Sequence, residues 1–325
     1  MNRLDESLKF IEDVVRFNLE NKILLKKIRG LRTVFLQVKR GLREHSIVTF
    51  RDSRQDLGRK ADFDRGQRRS DEDLIIANLT RAKESARTLE EIIKQKSSAV
   101  SRLCKRLRFG LYDIESSIMD ILDRRFDPRI HIILDEQYLI GKNVRTLVRM
   151  LEAQGATMFQ LRIRTLSDRK FYRYANTVKQ ALKKQSTKFI INNRIDIALA
   201  CNADGVHLGQ DDVPVRTARR VLGRGTIIGA SARTVTQART AERQGADYLG
   251  VGSLFPTRTK VDARSTSLRS LRAISKQVSI PIIGVGGITD KNYRTVLRAG
   301  AAGIAVASYV LQDDTRRAMR SLTKK

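Results

Sequence analysis

The chain has 325 residues, 41% of them hydrophobic, so it can bury a sizeable core, and its length predicts two domains. The formal net charge of +29 indicates anionic substrates or a polyanionic partner. Cys104 and Cys201 have no metal-ligand spacing around them and argue against a disulfide framework. No apolar run approaches the roughly 20 residues of a membrane helix, and the N-terminus lacks the apolar segment of a signal peptide. We therefore expect a soluble protein of the reducing cytoplasm with no membrane partner.

The first 125 residues have the pattern of helices. Apolar side chains recur at spacings of 4-3-4-3-4 in two stripes, as in helices packed lengthwise on one another. The helices before the stripes, "ESLKFIED" at 6–13 and "ESARTLEE" at 84–91, also match. This repetition predicts an all-α domain over residues 1–125, built as two duplicated hairpins in a four-helix bundle. A polar, charged segment at 45–73 is predicted to be a loop between the hairpins. The stripes are Leu24, Ile28, Leu31, Phe35, Val38 and Leu42, and Val100, Cys104, Leu107, Leu111, Ile114 and Ile118.

After "RRFDPR" at 124–129 the pattern changes to short apolar strands, each followed by an amphipathic helical stretch. Eight such units in residues 126–325 predict a (β/α)₈ TIM barrel, whose strands are apolar throughout because both faces are buried. The fold class is therefore α/β, with a C-terminal TIM barrel preceded by an all-α helical bundle. The predicted strands are "IHIILD" (130–135), "MFQLR" (158–162), "FIINN" (189–193), "GVHLG" (205–209), "TIIGAS" (226–231), "YLGVG" (248–252), "PIIGVGG" (281–287) and "GIAVAS" (303–308).

The active site of such a barrel lies at the C-terminal ends of the strands. At the end of strand two, Gln160, Arg162 and Arg164 alternate and therefore point to the same side. Two guanidiniums in the barrel mouth indicate either a bound anion or salt bridges to barrel acids. Asn192 and Asn193 end strand three.

Further strand ends carry groups suited to phosphates. "GSLFPTRTK" at 252–260 follows strand six, and "GVGG" at 284–287 follows strand seven. A glycine-rich turn after strand seven and a helix start after strand eight form a common phosphate site of these barrels. Asp212 is a candidate ligand of a divalent metal, whereas His207 within strand four is interpreted as a structural histidine. No nucleophile–base pair is recognisable, so chemistry by electrostatics and positioning is expected.

Six stretches resemble the thiamine phosphate synthase family, namely "QLRIR" (160–164), "INNRIDIALACNADGVHLGQDD" (191–212), "GAS" (229–231), "GADYLGVGSLFPTRTK" (245–260), "PIIGVGGIT" (281–289) and "AGAAGIAVAS" (299–308). The N-terminal half resembles an extension that some members carry, cyanobacterial-type ones among them. The resemblance implies that 4-amino-2-methyl-5-(hydroxymethyl)pyrimidine diphosphate reacts with 4-methyl-5-(2-phosphoethyl)thiazole, or its carboxylate form. The products would be thiamine phosphate and pyrophosphate, formed by a Mg²⁺-assisted dissociative substitution.

The resemblance also implies roles for individual residues. Arg162, Arg164 and Lys260 would be catalytic, and Mg²⁺ would bind Asn193 and Asp212. The pyrimidine diphosphate would bind Gln160, Arg162, Arg164, Asn192, Ser231 and Lys260, and the thiazole phosphate would bind Thr257, Thr259, Gly287, Ala307 and Ser308.

Two positions depart from the family pattern, which commonly has lysine at Arg164 and aspartate at Asn193. The second change removes a formal charge from the metal site, so weaker metal affinity is expected.

Two alternatives remain at this point. A thiazole tautomerase shares the barrel but does not need a diphosphate clamp. A nucleic-acid binder would explain the charge, yet no nucleic-acid motif is visible, so small molecules are the expected partners. For the helical domain, the hypotheses are homo-oligomerisation, docking of another thiamine-pathway enzyme, and regulation.

Overall fold

A computed structural model of the protein describes residues 1–19, 21–43, 71–256, 266–312 and 314–323. The chain forms two compact units, Met1–Leu122 and Asp123–Lys325. Most of the predicted loop at 45–73 lies outside the described residues, and its last three residues begin a helix.

The first unit consists of helices whose apolar stripes form its core. All members of the two predicted stripes are buried, except that Leu31 is half-buried. Part-buried ion pairs such as Arg108 with Glu90, at 2.8 Å, join neighbouring helices. The duplication of the two hairpins stays a prediction. The helices are α1 (Asn2–Asp13), α2 (Lys22–Arg43), α3 (Asp71–Lys94) and α4 (Ser98–Asp123), with a π-helical turn at Val14–Asn18.

No helix in the described part of the chain combines the length and the apolarity that a membrane crossing requires.

The second unit is a closed barrel of eight parallel strands, each paired with its neighbours in chain order. This confirms the predicted fold class. Predicted strands seven and eight extended too far, to residues 287 and 308. The seventh strand stops earlier because Gly286, with φ of 97°, leaves the extended region, and the eighth stops before Ala307, whose φ of −130° and ψ of −87° lie outside the strand region. The strands are β1 (Ile130–Asp135), β2 (Met158–Arg162), β3 (Lys188–Asn192), β4 (Gly205–Leu208), β5 (Ile227–Ala232), β6 (Tyr248–Val251), β7 (Ile282–Val285) and β8 (Gly303–Val306).

Helices cover the outside of the barrel and bury a large apolar layer against the strands. A smaller apolar cluster fills the barrel interior and includes Met158, Ile190 and Tyr248. Strand periodicity separates the two layers, since alternate residues face opposite sides. The helices are α5 (Val144–Ala153), α6 (Asp168–Ala181), α7 (Ile195–Ala200), α8 (Val215–Leu222), α9 (Val235–Arg243), α10 (Leu268–Ser275), α11 (Tyr293–Arg298), α12 (Ser308–Leu311) and α13 (Thr315–Thr323), with a 3₁₀ turn at Glu136–Tyr138.

Two glycines make room for aromatic rings inside the barrel. A β-carbon on Gly229 would lie 2.1 Å from the ring of Tyr248, and one on Gly250 would lie 2.8 Å from the ring of His207. Neither distance is compatible with a side chain. A cavity lies above the apolar interior, lined by residues at the C-terminal ends of the strands.

Candidate active site

The cavity has two adjoining chambers, with volumes of about 220 Å³ and 320 Å³. Arg162, Arg164 and Ser231 line both chambers and form part of their common wall. We name the chambers by the residues that line only one of them. The first chamber has Gln160, Asn192, Asn193, His207 and Asp212, and the second has Arg233, Ser253, Gly286, Gly287, Ala307 and Ser308.

The residues predicted for the two substrates line different chambers, except that Arg162, Arg164 and Ser231 line both. Every described residue assigned to the pyrimidine diphosphate lines the first chamber, and so do the two predicted metal ligands. Every described residue assigned to the thiazole phosphate lines the second chamber. Thr257, Thr259 and Lys260 lie outside the described residues, so their assignments stay predictions.

A chain of amide hydrogen bonds crosses the first chamber from β2 to the end of β3. Nε2 of Gln160 donates to Oδ1 of Asn192 at 2.7 Å, and Nδ2 of Asn192 donates to Oδ1 of Asn193 at 2.7 Å. Asn193 has φ of 65°, a left-handed conformation that asparagine tolerates better than most residues. Its backbone N–H donates to the carbonyl of His207 at 2.9 Å. These hydrogen bonds fix the orientation of the side chains of Gln160, Asn192 and Asn193 on one wall of the first chamber.

Arg162 is buried and forms an ion pair with Asp135. Strand register sets the two residues opposite each other on β1 and β2, and Nη1 of Arg162 donates to Oδ2 of Asp135. Only 3% of Arg162 and 5% of Asp135 are exposed. Of the two interpretations of the strand-two arginines, the salt bridge therefore applies to Arg162. Its Nη2 has no hydrogen-bond partner in the structure, so the guanidinium keeps unused donor capacity beside the cavity.

Arg164 is exposed at the mouth, and Glu136 fixes its backbone. Oε2 of Glu136 accepts from the N–H of Arg164 at 2.7 Å and from the N–H of Thr165 at 3.0 Å, and Oε1 accepts from the Thr165 hydroxyl. Burial opposes ionisation, but the hydrogen bonds from Thr165 and Arg164 outweigh it and hold the pKa of Glu136 below its usual value. The carboxylate is therefore ionised at neutral pH and anchors the loop that carries Arg164.

The rings of His207 and Tyr248 organise the base of the first chamber. Nδ1 of His207 lies 3.1 Å from the hydroxyl of Tyr248, and Nε2 lies 3.0 Å from the hydroxyl of Ser231. Burial raises the pKa of Tyr248 above its usual value, so the phenol is neutral. With both ring nitrogens bonded to hydroxyls, His207 positions Ser231, and its interpretation as a hydrogen-bonded histidine agrees with this geometry.

The second chamber is lined on one side by backbone that only glycine accommodates. Gly286 and Gly287 have φ of 97° and 63°, and a β-carbon on Gly287 would lie 2.4 Å from the carbonyl oxygen of Pro256. Close approach of the backbone to a ligand is a common reason for such glycines. The helix predicted after strand eight is only the four-residue α12, which begins at Ser308.

The predicted metal ligands are oxygen donors with coordination capacity left. Oδ2 of Asp212 accepts from the N–H of Gly209 at 2.5 Å, which leaves Oδ1 for a cation. The side-chain oxygen Oδ1 of Asn193 accepts one hydrogen bond and retains a second lone pair. Within the described ranges, no group of three or more His, Cys, Asp and Glu side chains is arranged to hold a metal. The donor set fits Mg²⁺, which takes few protein ligands and keeps waters or substrate phosphates.

Sequence reasoning missed four residues of this region. Asp135 was predicted only as the last residue of strand one, and Glu136 received no assignment, although two acids at the end of a barrel strand are a usable signal. Arg233 follows β5 and lines the second chamber. His131 is buried under the cavity, and only the inward register of β1 could have indicated it.

Fold and site together define the class of (β/α)₈-barrel enzymes that keep their site at the carboxyl ends of the strands. The chain matches the family described as "Thiamine monophosphate synthase" over residues 130–310. It therefore belongs to the thiamine monophosphate synthase family, as the motifs predicted. Residues 1–117 match a second family, described as the "ThiD2 family".

Individual relatives agree with this assignment. The thiamine-phosphate synthase of Clostridium tetani is 39% identical over 62% of this chain and 97% of its own length. That of the cyanobacterium Synechococcus sp. WH7803 is 34% identical and covers 99% of this chain and 93% of its own length. Cyanobacterial relatives thus share the N-terminal extension, which confirms that prediction. A solved structure, the thiamine phosphate pyrophosphorylase of Pyrococcus furiosus, has a TM-score of 0.55 at 39% identity, covering 62% of this chain and 95% of that one.

Proposed function

We propose that the protein joins 4-amino-2-methyl-5-(hydroxymethyl)pyrimidine diphosphate to 4-methyl-5-(2-phosphoethyl)thiazole, giving thiamine phosphate and pyrophosphate. Family membership supports the activity. The observation that carries the assignment of substrates to places is the pair of adjoining chambers. A substitution between two molecules needs both held side by side, with the attacking atom next to the leaving group.

In this proposal, the first chamber binds the pyrimidine diphosphate. The amides of Gln160 and Asn192 offer donors and acceptors to the pyrimidine edge, and Ser231 adds a hydroxyl. Arg162 and Arg164 bind the diphosphate, where guanidiniums stabilise charge that grows as the bond to carbon breaks. The pyrimidine amino group stabilises the resulting cation, so the residues need only bind, orient and stabilise charge.

The second chamber binds the thiazole phosphate. The backbone at Gly287 and Ala307 and the hydroxyl of Ser308 supply its polar contacts. Thr257 and Thr259 are proposed to contact the same phosphate, and Lys260 to reach the departing pyrophosphate, on the strength of the sequence motif alone.

Mg²⁺ would be held by Asp212 and Asn193, with the diphosphate as a further ligand. When bound, the ion neutralises part of the charge on the leaving group. Because one of its two protein ligands is a neutral amide, binding of the metal depends strongly on the substrate.

Several features of the wider protein stay predictions. These are a domain boundary near residue 125, homo-oligomerisation through the helical domain, a cytoplasmic location, and the absence of a nucleic-acid partner.

The test is a two-substrate assay with purified full-length protein, both substrates and Mg²⁺, in which thiamine phosphate and pyrophosphate are quantified together. Equal amounts of the two products, which disappear when either substrate is omitted, are expected. Lys260→Ala should reduce turnover with little change in the melting temperature, whereas Arg239→Ala, on the exposed surface of α9, should match the wild type.

A thiazole tautomerase is the alternative, and it would use only the second chamber. Turnover of the thiazole carboxylate tautomer without thiamine phosphate would favour it. The described lining of the first chamber would then have no substrate, which is why we prefer the synthase.

A further inference from the structure

One basic side chain that lines the second chamber has no role in the function proposed above. Arg233 follows β5, is half-buried, and lines the second chamber but not the first. Arg162 and Arg164 also line the second chamber, but they belong equally to the first. Among the described residues, Arg233 is the only basic residue that lines the second chamber and not the first, and it also borders a separate surface pocket together with Thr234 and Gln237.

The guanidinium of Arg233 forms no ion pair and no hydrogen bond within the part of the chain that the structure describes. The backbone that carries this side chain is fixed, because the N–H of Arg233 donates to Oε1 of Gln237 at 2.8 Å. The hydroxyl of Thr234 accepts from the N–H of Gln237 at 3.2 Å and caps α9. The turn that carries Arg233 is thus held from both sides, while its charge has no partner among the described residues.

Three other arginines of the barrel are paired with acids. Arg162 pairs with Asp135, Arg219 pairs with Asp247, and Arg194 pairs with Asp168 and Asp196. These guanidiniums have their acids supplied by the protein. A half-buried guanidinium without such an acid, at the wall of a polar chamber, is suited to an anion that arrives from outside.

We propose that Arg233 binds the phosphate of the thiazole substrate in the second chamber and so makes that chamber selective for the phosphorylated thiazole over the free alcohol. The inference rests on the proposed function. Gly286, Gly287 and Ser308 line the same chamber and provide neutral contacts. Arg233 adds the charge, and its planar fork can donate two hydrogen bonds to one phosphate.

The kinetic test compares Arg233→Ala, Arg233→Lys and the control Arg239→Ala in the full-length protein. For Arg233→Ala, the KM for thiazole phosphate should rise about 10- to 100-fold, the loss expected for a charged hydrogen bond. The KM for pyrimidine diphosphate should change less than about twofold. Arg233→Lys should be intermediate because it keeps charge but not the fork, and Arg239→Ala should match the wild type.

Direct binding separates this inference from the proposed function. Calorimetry with wild type and Arg233→Ala, without the pyrimidine substrate, would compare thiazole phosphate with thiazole alcohol. The variant should lose affinity for the phosphate ester only. If the wild type binds the ester through Arg233 but forms no thiamine phosphate, the proposed function fails and the inference stands.

Three results would overturn the proposal. They are an equal loss of affinity for ester and alcohol, a raised KM for pyrimidine diphosphate in place of the thiazole, and wild-type values for both substrates in Arg233→Ala. Circular dichroism of each variant checks the fold, and Arg233→Lys keeps the test valid if the alanine variant proves unstable.

Discussion

Asp135 and Arg162 lie directly opposite each other on β1 and β2, and the carboxylate accepts a hydrogen bond from the guanidinium inside the barrel. Almost no surface of either residue is exposed. A buried pair of this kind adds little net stability, but loss of one partner is costly because the other charge stays buried. The carboxylate of Asp135 therefore offsets the free-energy cost of keeping the charged guanidinium of Arg162 buried beside the cavity.

The first prediction concerns this pair. Asp135→Asn should destabilise the protein by about 3 kcal/mol or more, because the buried Arg162 loses its counter-charge. Urea unfolding followed by circular dichroism measures the change. Asp168→Asn is the control, since Asp168 also pairs with an arginine but its side chain is 72% exposed, and its midpoint should stay near that of the wild type. Equal midpoints for the two variants would contradict the prediction.

The second prediction concerns the loop that carries Arg164. Glu136→Ala removes the acceptor for two backbone N–H groups and one hydroxyl, so the loop should lose its fixed position. We expect the KM for pyrimidine diphosphate to rise about tenfold, equivalent to about 1.4 kcal/mol, while the KM for thiazole phosphate stays unchanged. Glu136→Gln should recover part of the loss, because its side-chain carbonyl oxygen can still accept two of these hydrogen bonds. A parallel rise in both KM values would instead indicate general damage to the barrel mouth.

The third prediction concerns Asn193, the proposed metal ligand that follows β3. Asn193→Asp adds a carboxylate at a position whose left-handed backbone aspartate also tolerates. The Mg²⁺ concentration for half-maximal rate should fall roughly tenfold, or about 1.4 kcal/mol in binding free energy. Titration of the initial rate with Mg²⁺ measures it. An unchanged Mg²⁺ dependence would exclude residue 193 as a ligand.

The fourth prediction concerns His131, which is buried and has no hydrogen-bond partner on either ring nitrogen within the described ranges. Burial lowers its pKa from 6.5 to about 3. The unfolded chain therefore binds a proton below pH 6.5 that the folded protein rejects, so stability is lost as pH falls from 6.5 towards 3. As pH falls from 7 to 5, the titration of His131 should lower the free energy of unfolding by about 2 kcal/mol.

His131→Leu removes the titrating group and tests this assignment. Unfolding free energies of the wild type and the variant would be compared at pH 7 and pH 5. The difference between the two pH values should be smaller by about 2 kcal/mol in the variant. The same pH dependence in both proteins would mean that other groups cause it.

The strands could be predicted because both of their signals, a short apolar run and the helical stretches that flank it, are local in sequence. "IHIILD" and "MFQLR" match β1 and β2 residue for residue, since apolar runs of this length between helical stretches have few other interpretations. The end of β7 was not predictable from hydrophobicity, because Gly286 and Gly287 continue the apolar run while their backbone leaves the strand.

The site was predictable where a motif placed a polar residue at a strand end, as for Gln160 and Asp212, both of which line the cavity. The partner of Arg162 was not, because which acid meets it depends on register between β1 and β2. The position of Arg233 was also hidden. Its significance lies in which chamber it lines and in the lack of a counter-charge among the residues that the structure describes, and neither is a property of its neighbours in sequence.

The depth of the cavity depends on two absent side chains. Strand register places Gly229 opposite both His207 and Tyr248, so the bare backbone of β5 lies between the two rings that meet beneath the site. A single methyl group at residue 229 or 250 would push an aromatic ring upward into space that the substrate needs. The floor of the active site therefore depends on two residues without a side chain. These glycines are its positions most sensitive to substitution, although they carry no functional group.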